Sequence, residues 1–205
     1  MPYIEVYDDQ TLQKISSYED ADDLGHKNKL FCTKFDIENP NIVYSGGWDR
    51  NLNIWDIRAG QGLQGTIYGP MICGEGIDVN PKTHQILTGS QTPDEPLQLW
   101  DIRTLGLIRT FDWKGKDPHG GSSVYSCKFM KPEKSAVFAV GSNKNAAKVF
   151  SVDTGEMLLD LTDMDPIIAS SSVVACDTSS QGRTVIVGSA TGAIHVKNIT
   201  ITLAD

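Results

Sequence analysis

Apolar and polar residues alternate with a period of two in short runs along this chain, and turn-forming residues bound each run. Residues 30–36 (Leu-Phe-Cys-Thr-Lys-Phe-Asp) predict a strand rich in aromatic and β-branched content. Asn39-Pro40 predicts a turn, 41–45 a second strand, and Asp49-Arg50-Asn51 a tight turn. Leu52-Asn53-Ile54-Trp55 alternates strictly, Gly60-Gln61-Gly62 turns again, and 63–67 predicts a fourth strand. Pro81-Lys82 and Asp153-Thr154-Gly155 put turn chemistry at matching points further on. The opening predicts strands over 4–7 and 12–15. No segment shows helical periodicity, so the predicted class is all-β.

The four-strand pattern recurs. Ser45-Gly46-Gly47-Trp48-Asp49 leads into Ile54-Trp55-Asp56-Ile57-Arg58, and Leu99-Trp100-Asp101-Ile102-Arg103 repeats its end. Weaker copies run from Val140 to Val152 and from Val187 to Ile199, and Val6-Tyr7-Asp8 resembles the end of one more. Tyr7, Trp55, Trp100, Phe150 and Lys197 are equivalent, at spacings of 48, 45, 50 and 47 residues. A period of this length marks a stacked-repeat architecture.

The pairs Trp55-Asp56 and Trp100-Asp101, with Gly25-His26 upstream, resemble the WD40-repeat family over essentially the whole chain. The resemblance implies a β-propeller of about four and a half blades, each of four antiparallel strands. One propeller domain would fill 1–205, with periods at about 1–18 (partial), 24–68, 69–114, 121–163 and 167–205. The chain opens at what reads as the third strand of a blade. Three outcomes stay open: part of a longer seven-bladed protein, a ring completed by another copy or another chain, or a closed ring of four blades.

The resemblance also implies a hydrogen-bonded tetrad of His26, Ser45, Asp49 and Trp55, which would satisfy polar groups that are costly to bury alone. The next repeat offers Ser90, Asp94 and Trp100, with Gly69-Pro70 in place of Gly-His. In the last two repeats Lys144 and Thr191 replace the turn Asp. These are expected to rest on apolar packing alone.

Propellers of this family bind partners on their top face. The matching positions are Lys29, Phe31 and Trp48, then Met71, Cys73 and Pro93. Ser123, Tyr125 and Asn143 follow, and then Ser170, Ser172 and Ala190. Trp48 stands out, because a tight turn gives a large aromatic little reason to be buried, and exposed aromatics are enriched at interface hot spots. Phe31, Trp48, Met71 and Tyr125 would form one patch. The Gly-rich insert 112–123 does not fit a phosphate loop and reads as a mobile loop, and the acidic stretch 160–165 reads as a solvated turn.

Composition narrows the function. A net charge of −8 argues against general nucleic-acid or anionic-membrane binding, and RNA binding would need a basic face that the sequence does not localise. No apolar run is long enough for a transmembrane helix, and the first nine residues carry no secretory signal. The Asn198-Ile199-Thr200 sequon is then expected to stay unmodified. Four scattered cysteines fit reduced thiols in the cytoplasm or nucleus. Four histidines in different repeats, with no metal or nucleophile motif, predict neither enzyme activity nor a cofactor or metal site. The expected role is a scaffold for a protein or peptide partner, with self-association through open edges. The alternative is a structural subunit of a cytoskeletal, ciliary or RNA-processing assembly, bound through strand edges and blade sides.

Overall fold

The computed structural model describes residues 3–18, 25–59, 62–92, 94–114, 123–131, 135–142, 147–161 and 172–201. Its described residues form five antiparallel sheets and no helix. A hairpin of β1 (Ile4–Tyr7) and β2 (Lys14–Tyr18) comes first. The second sheet holds β3 (Leu30–Phe35), β4 (Ile42–Gly47), β5 (Asn51–Asp56) and β6 (Leu63–Tyr68). The third holds β7 (Ile77–Asn80), β8 (Gln85–Gly89), β9 (Leu97–Asp101) and β10 (Leu107–Thr110). The fourth holds β11 (Val124–Phe129), β12 (Ala136–Gly141), β13 (Ala147–Ser151) and β14 (Met157–Asp160). The last has three described strands, β15 (Val173–Thr178), β16 (Thr184–Ser189) and β17 (Ile194–Asn198).

Strands join their sequence neighbours in every sheet, because the short turns allow only antiparallel hairpins. The middle strands of the second, third and fourth sheets are largely buried on both faces. All residues of β12 and β13 are buried, which explains the unbroken apolar run Ala136-Val137-Phe138-Ala139-Val140.

One contact repeats between successive sheets. An aliphatic pair on the third strand of one sheet packs against the aromatic on the third strand of the next. Ile4 and Val6 share a buried cluster with Trp55. Leu52 and Ile54 do so with Trp100, and Leu97 and Leu99 with Phe150. Ala147 and Val149 meet Val185 and Val187 of the last sheet in the same way.

Three expectations change. The second opening strand is Lys14–Tyr18 rather than 12–15. The Asp8 carboxylate accepts hydrogen bonds from the amides of Gln10 and Thr11, and Leu12 takes a left-handed φ of 56°, so the turn consumes the first residues of the expected strand. The insert 112–123 does not start as a mobile loop. Trp113 is 1% exposed, its ring centroid lies 6.3 Å from that of Phe150, and the rest of the insert up to Ser123 falls outside the described residues beyond Lys114.

Finally, the fourth sheet is not held by apolar packing alone. Lys148 is buried, donates to the Trp113 carbonyl at 2.9 Å, lies over the Trp113 ring at 5.7 Å, and faces Asp160 at 3.6 Å. Asp160 therefore belongs to a strand with an ion-pair partner rather than to a solvated turn, while 162–165 lie outside the described residues.

Replacing Trp113 with Ala is expected to cost about 3–5 kcal/mol, as for a large buried aromatic. A shift in the urea midpoint at unchanged slope checks this. A tryptophan on a mobile loop would cost less than about 0.5 kcal/mol.

Candidate functional site

Residue Leu30 pairs with Gly47, so the start of β3 and the β4–β5 turn lie at the same end of the sheet. The Trp48 amide closes this end by donating to the Lys29 carbonyl at 2.9 Å. Gly47 makes the approach possible, since a Cβ there would sit 2.0 Å from the Lys29 oxygen. Just inside this end lies the hydrogen-bonded chain. The Trp55 indole N–H donates to Ser45 Oγ at 2.7 Å, Ser45 Oγ meets His26 Nε2 at 2.7 Å, and His26 Nδ1 meets Asp49 Oδ2 at 2.7 Å. A proton on Nδ1, donated to Asp49, leaves Nε2 to accept the Ser45 hydroxyl, so each donor has an acceptor. The network ties β4 and β5 to the segment before β3 and anchors the base of Trp48.

Burial alone would raise the Asp49 carboxyl. The hydrogen bond from His26, with those from the amides of Lys27 and Asn51, outweighs burial and holds it below its ordinary value.

The third sheet differs from the expected pattern. The Trp100 indole N–H donates to Thr88 Oγ1 at 2.9 Å rather than to Ser90. The register explains this: Ser45 pairs with Asn53 in β4–β5, and Thr88 pairs with Gln98 in β8–β9. Ser90 instead accepts the Met71 amide at 2.8 Å, and Asp94 pairs with Lys114 at 2.9 Å. The turn is two residues longer, so Thr88-Gly89-Ser90 matches Ser45-Gly46-Gly47. The Ser/Thr-Gly step, rather than distance from Trp, was the signal for Thr88.

The same register locates the top-face positions. The Trp48-to-Lys29 bond recurs as Gln91 to Met71 (2.8 Å), Ser142 to Ser123 (2.9 Å) and Ala190 to Ser172 (2.9 Å). The equivalents of Trp48 are thus Gln91, Ser142 and Ala190. Pro93, Asn143 and Ser170 lie outside the described residues. Tyr125 is equivalent to Phe31, whereas Ser172 is equivalent to Lys29, and exposed Val174 takes the Phe31 position in the last sheet.

Lys29, Phe31 and Trp48 come together. The Phe31 and Trp48 ring centroids are 5.0 Å apart, and Lys29 Nζ lies 5.3 Å from the Trp48 centroid. Phe31 is 41% exposed, and Trp48 is half-buried beneath these neighbours. Trp48 Nε1 is buried with no hydrogen-bond partner among the described residues, an uncompensated donor in a surface site. Met71 and Tyr125 are half-buried, and no described ring contact joins Tyr125 to the Phe31–Trp48 pair.

Phe31 also borders a cavity of about 340 Å³ lined by Cys32, Lys34, Glu75, Ile77 and Lys128. Here the sequence reading missed a charge row. Lys34, Asp78, Lys128 and Asp177 occupy equivalent first-strand positions and alternate in sign from sheet to sheet. Lys34 meets Asp78 at 3.0 Å, and Lys128 meets Glu75 at 3.3 Å. Burial pushes the Lys128 ammonium down, but Glu75 and Asp78 outweigh this and raise it, so Lys128 stays charged. Each member lies one residue before Phe35, Val79, Phe129 or Thr178 at or next to a strand end, a signal visible once the repeats are aligned.

Burial pushes the thiols of Cys32 and Cys127 up, that of Cys73 to about 11 and that of Cys176 to about 12, so none is a ready nucleophile. Among the described residues, no group of three or more His, Cys, Asp or Glu is placed to hold a metal.

Solved structures share this architecture. A chain in the crystal structure of the mitotic checkpoint complex matches at a TM-score of 0.75 and 16% identity, covering 97% of this chain and 55% of that one. The computationally designed Ika8 protein matches at 0.66 and 22%, covering 96% and 52%. The designed Ika4 protein matches at 0.64 and 23%, covering 86% and 94%. This chain spans about half the length of the first two, and identities this low carry the fold alone. No protein-family model and no curated protein matches the sequence. The chain is a β-propeller fold built of successive antiparallel sheets.

Thr88→Val should cost about 1–3 kcal/mol, because it leaves the Trp100 N–H without an acceptor, and urea unfolding reads the loss. A second expectation concerns pH. A carboxyl lowered by folding stabilises above its unfolded pKa of about 3.9, and the contribution is lost as pH falls through the lower folded value. Asp49→Asn should lower stability at neutral pH, and its gap from wild type should shrink below about pH 4. A constant gap across that range would show that the Asp49 charge contributes nothing.

Proposed function

We propose that this chain is a non-enzymatic scaffold of the WD40-repeat type that holds a protein or peptide partner on the face carrying Lys29, Phe31 and Trp48. The observation that carries the reading is the joining of an exposed Phe31, a lysine over an indole, and an unpaired buried Trp48 N–H at one end of the best-ordered hydrogen-bond network. An aromatic anchor on a rigid support is the usual composition of an interface hot spot. Lys29 favours a carboxylate, Phe31 an apolar side chain, and the Trp48 N–H a carbonyl reached when the Lys29 side chain swings aside. The partner's binding segment is accordingly acidic and apolar. The likeness to a chain of a checkpoint complex, itself a multi-protein assembly, supports a role in protein association. The four free cysteines support the cytoplasm, with the nucleus as the second compartment; imaging of a tagged chain in the secretory pathway would overturn that placement.

The second reading is a structural subunit of a larger assembly bound through its edges. It is favoured by the apolar face that the last sheet leaves exposed at Ile186, Ile194 and Val196.

Trp48→Ala and Phe31→Ala should each weaken retention of acidic, apolar peptides from a random display library by about tenfold or more, the usual effect of removing a hot-spot aromatic. Lys29→Glu should reverse the charge preference of the retained peptides. Unchanged retention by all three variants would remove the top-face site and leave the edge reading.

A further inference from the structure

The row of inter-sheet contacts stops at both ends of the array. On β17, Ile194 and Val196 stand where Leu52 and Ile54, or Leu97 and Leu99, stand in the earlier sheets. There the aliphatic pairs are 0–6% exposed against the next sheet's aromatic, yet Ile194 is 71% and Val196 62% exposed. Ile186, paired with Val196, is 40% exposed on the same face. At the other end, Tyr7 stands where Trp55, Trp100 and Phe150 stand, and is 52% exposed while those three are buried. One end thus presents the aliphatic half of the contact, and the other end presents the aromatic half.

The first-strand charges end in the same complementary way. The alternating row begins with a lysine, Lys34, and finishes with an acid, Asp177, that has no cation partner among the described residues. Among the described residues the opening hairpin of β1 and β2 contributes no member to the row. A following copy would bring its Lys34 next after Asp177 and continue the alternation.

Length agrees with a partner of this size. Nearly the whole chain superposes on about half the length of the checkpoint-complex chain and of the Ika8 protein. Two copies together therefore match the length of one such chain.

We propose that a second copy of this chain docks head to tail on the first. The Ile186, Ile194 and Val196 face of each copy receives the β1–β2 hairpin of the other through Tyr7. The contact is heterologous, because unlike surfaces meet, and because two copies match the length of one related propeller chain it closes after two copies. The geometry of the contact is that of the four inter-sheet contacts inside the chain. It rests on the fold and not on the Trp48 site, which lies on another face.

Solution mass by light scattering, with three samples beside the wild type, tests this. The wild type should run at twice the monomer mass at about 100 µM and dissociate on dilution. Ile194→Asp and Tyr7→Asp should each be monomeric at the same concentration. Both positions are exposed in the single chain, so circular dichroism should show unchanged strand content and thermal midpoint for each variant as a monomer. Mixing the two variants should restore a dimer, since Tyr7 of the first still meets Ile194 of the second at one of the two interfaces. A monomeric wild type would overturn the proposal. So would a Tyr7→Asp variant that stays dimeric, which would mean like faces meeting each other. Open-ended growth beyond two copies would overturn the closed pair, and a mixture that stays monomeric would overturn the head-to-tail contact.

Discussion

The packing of one sheet's aliphatic pair against the next sheet's aromatic is the contact on which the molecule depends. A sheet of four short strands has two apolar faces and too little core of its own to offset the entropy of ordering its chain. It becomes stable when a neighbour covers each face, which is why repeat architectures gain stability from their interfaces as much as from their units. Ile4 and Val6 on Trp55, Leu52 and Ile54 on Trp100, and Leu97 and Leu99 on Phe150 are three copies of that contact. Where the aromatic is absent, at Lys197, Val185 and Val187 take over its burial. At the two ends of the array Tyr7, and Ile194 with Val196, stand exposed at the same positions of the repeat.

Polar groups inside the sheets follow a second constraint. Each buried donor needs an acceptor, but the partner can change from sheet to sheet. His26, Ser45, Asp49 and Trp55 meet it with four residues in one chain of bonds. Trp100 meets it with Thr88 alone. The fourth sheet has no such tryptophan, and uses buried Lys148 against Asp160 and the Trp113 carbonyl. Three unlike solutions at related places show that the requirement is satisfaction of the buried group rather than any particular residue.

These constraints shape the candidate site. The tetrad stiffens the end of the second sheet on which Lys29, Phe31 and Trp48 sit, so the aromatic pair is presented by a fixed support. Trp48 carries a buried N–H that no described group accepts. That donor lies beside an exposed phenylalanine and under a lysine, so an aromatic pair, a cation and a free donor meet at one place. The neighbouring charge row, by contrast, is largely neutralised within itself, and its pairs bridge one sheet to the next.

The local sequence determined the strands, the turns and the repeat. Alternation with period two, Asn-Pro and Asp-Thr-Gly turns, and the recurrence of Trp-Asp at fixed spacing depend only on neighbouring residues, and they placed most elements within a residue or two. The family resemblance that those motifs carry implied the His26, Ser45, Asp49 and Trp55 chain, which the structure forms. Register across strands is different, since it depends on turn length and pairing between distant residues. It made Thr88, not Ser90, the partner of Trp100, shifted the top-face equivalents to Gln91 and Ser142, and aligned Lys34, Asp78, Lys128 and Asp177 into one alternating row. Burial of Trp113 and Lys148 was likewise decided by the tertiary structure, because a residue that looks like a loop or a surface lysine becomes core only when another sheet closes over it.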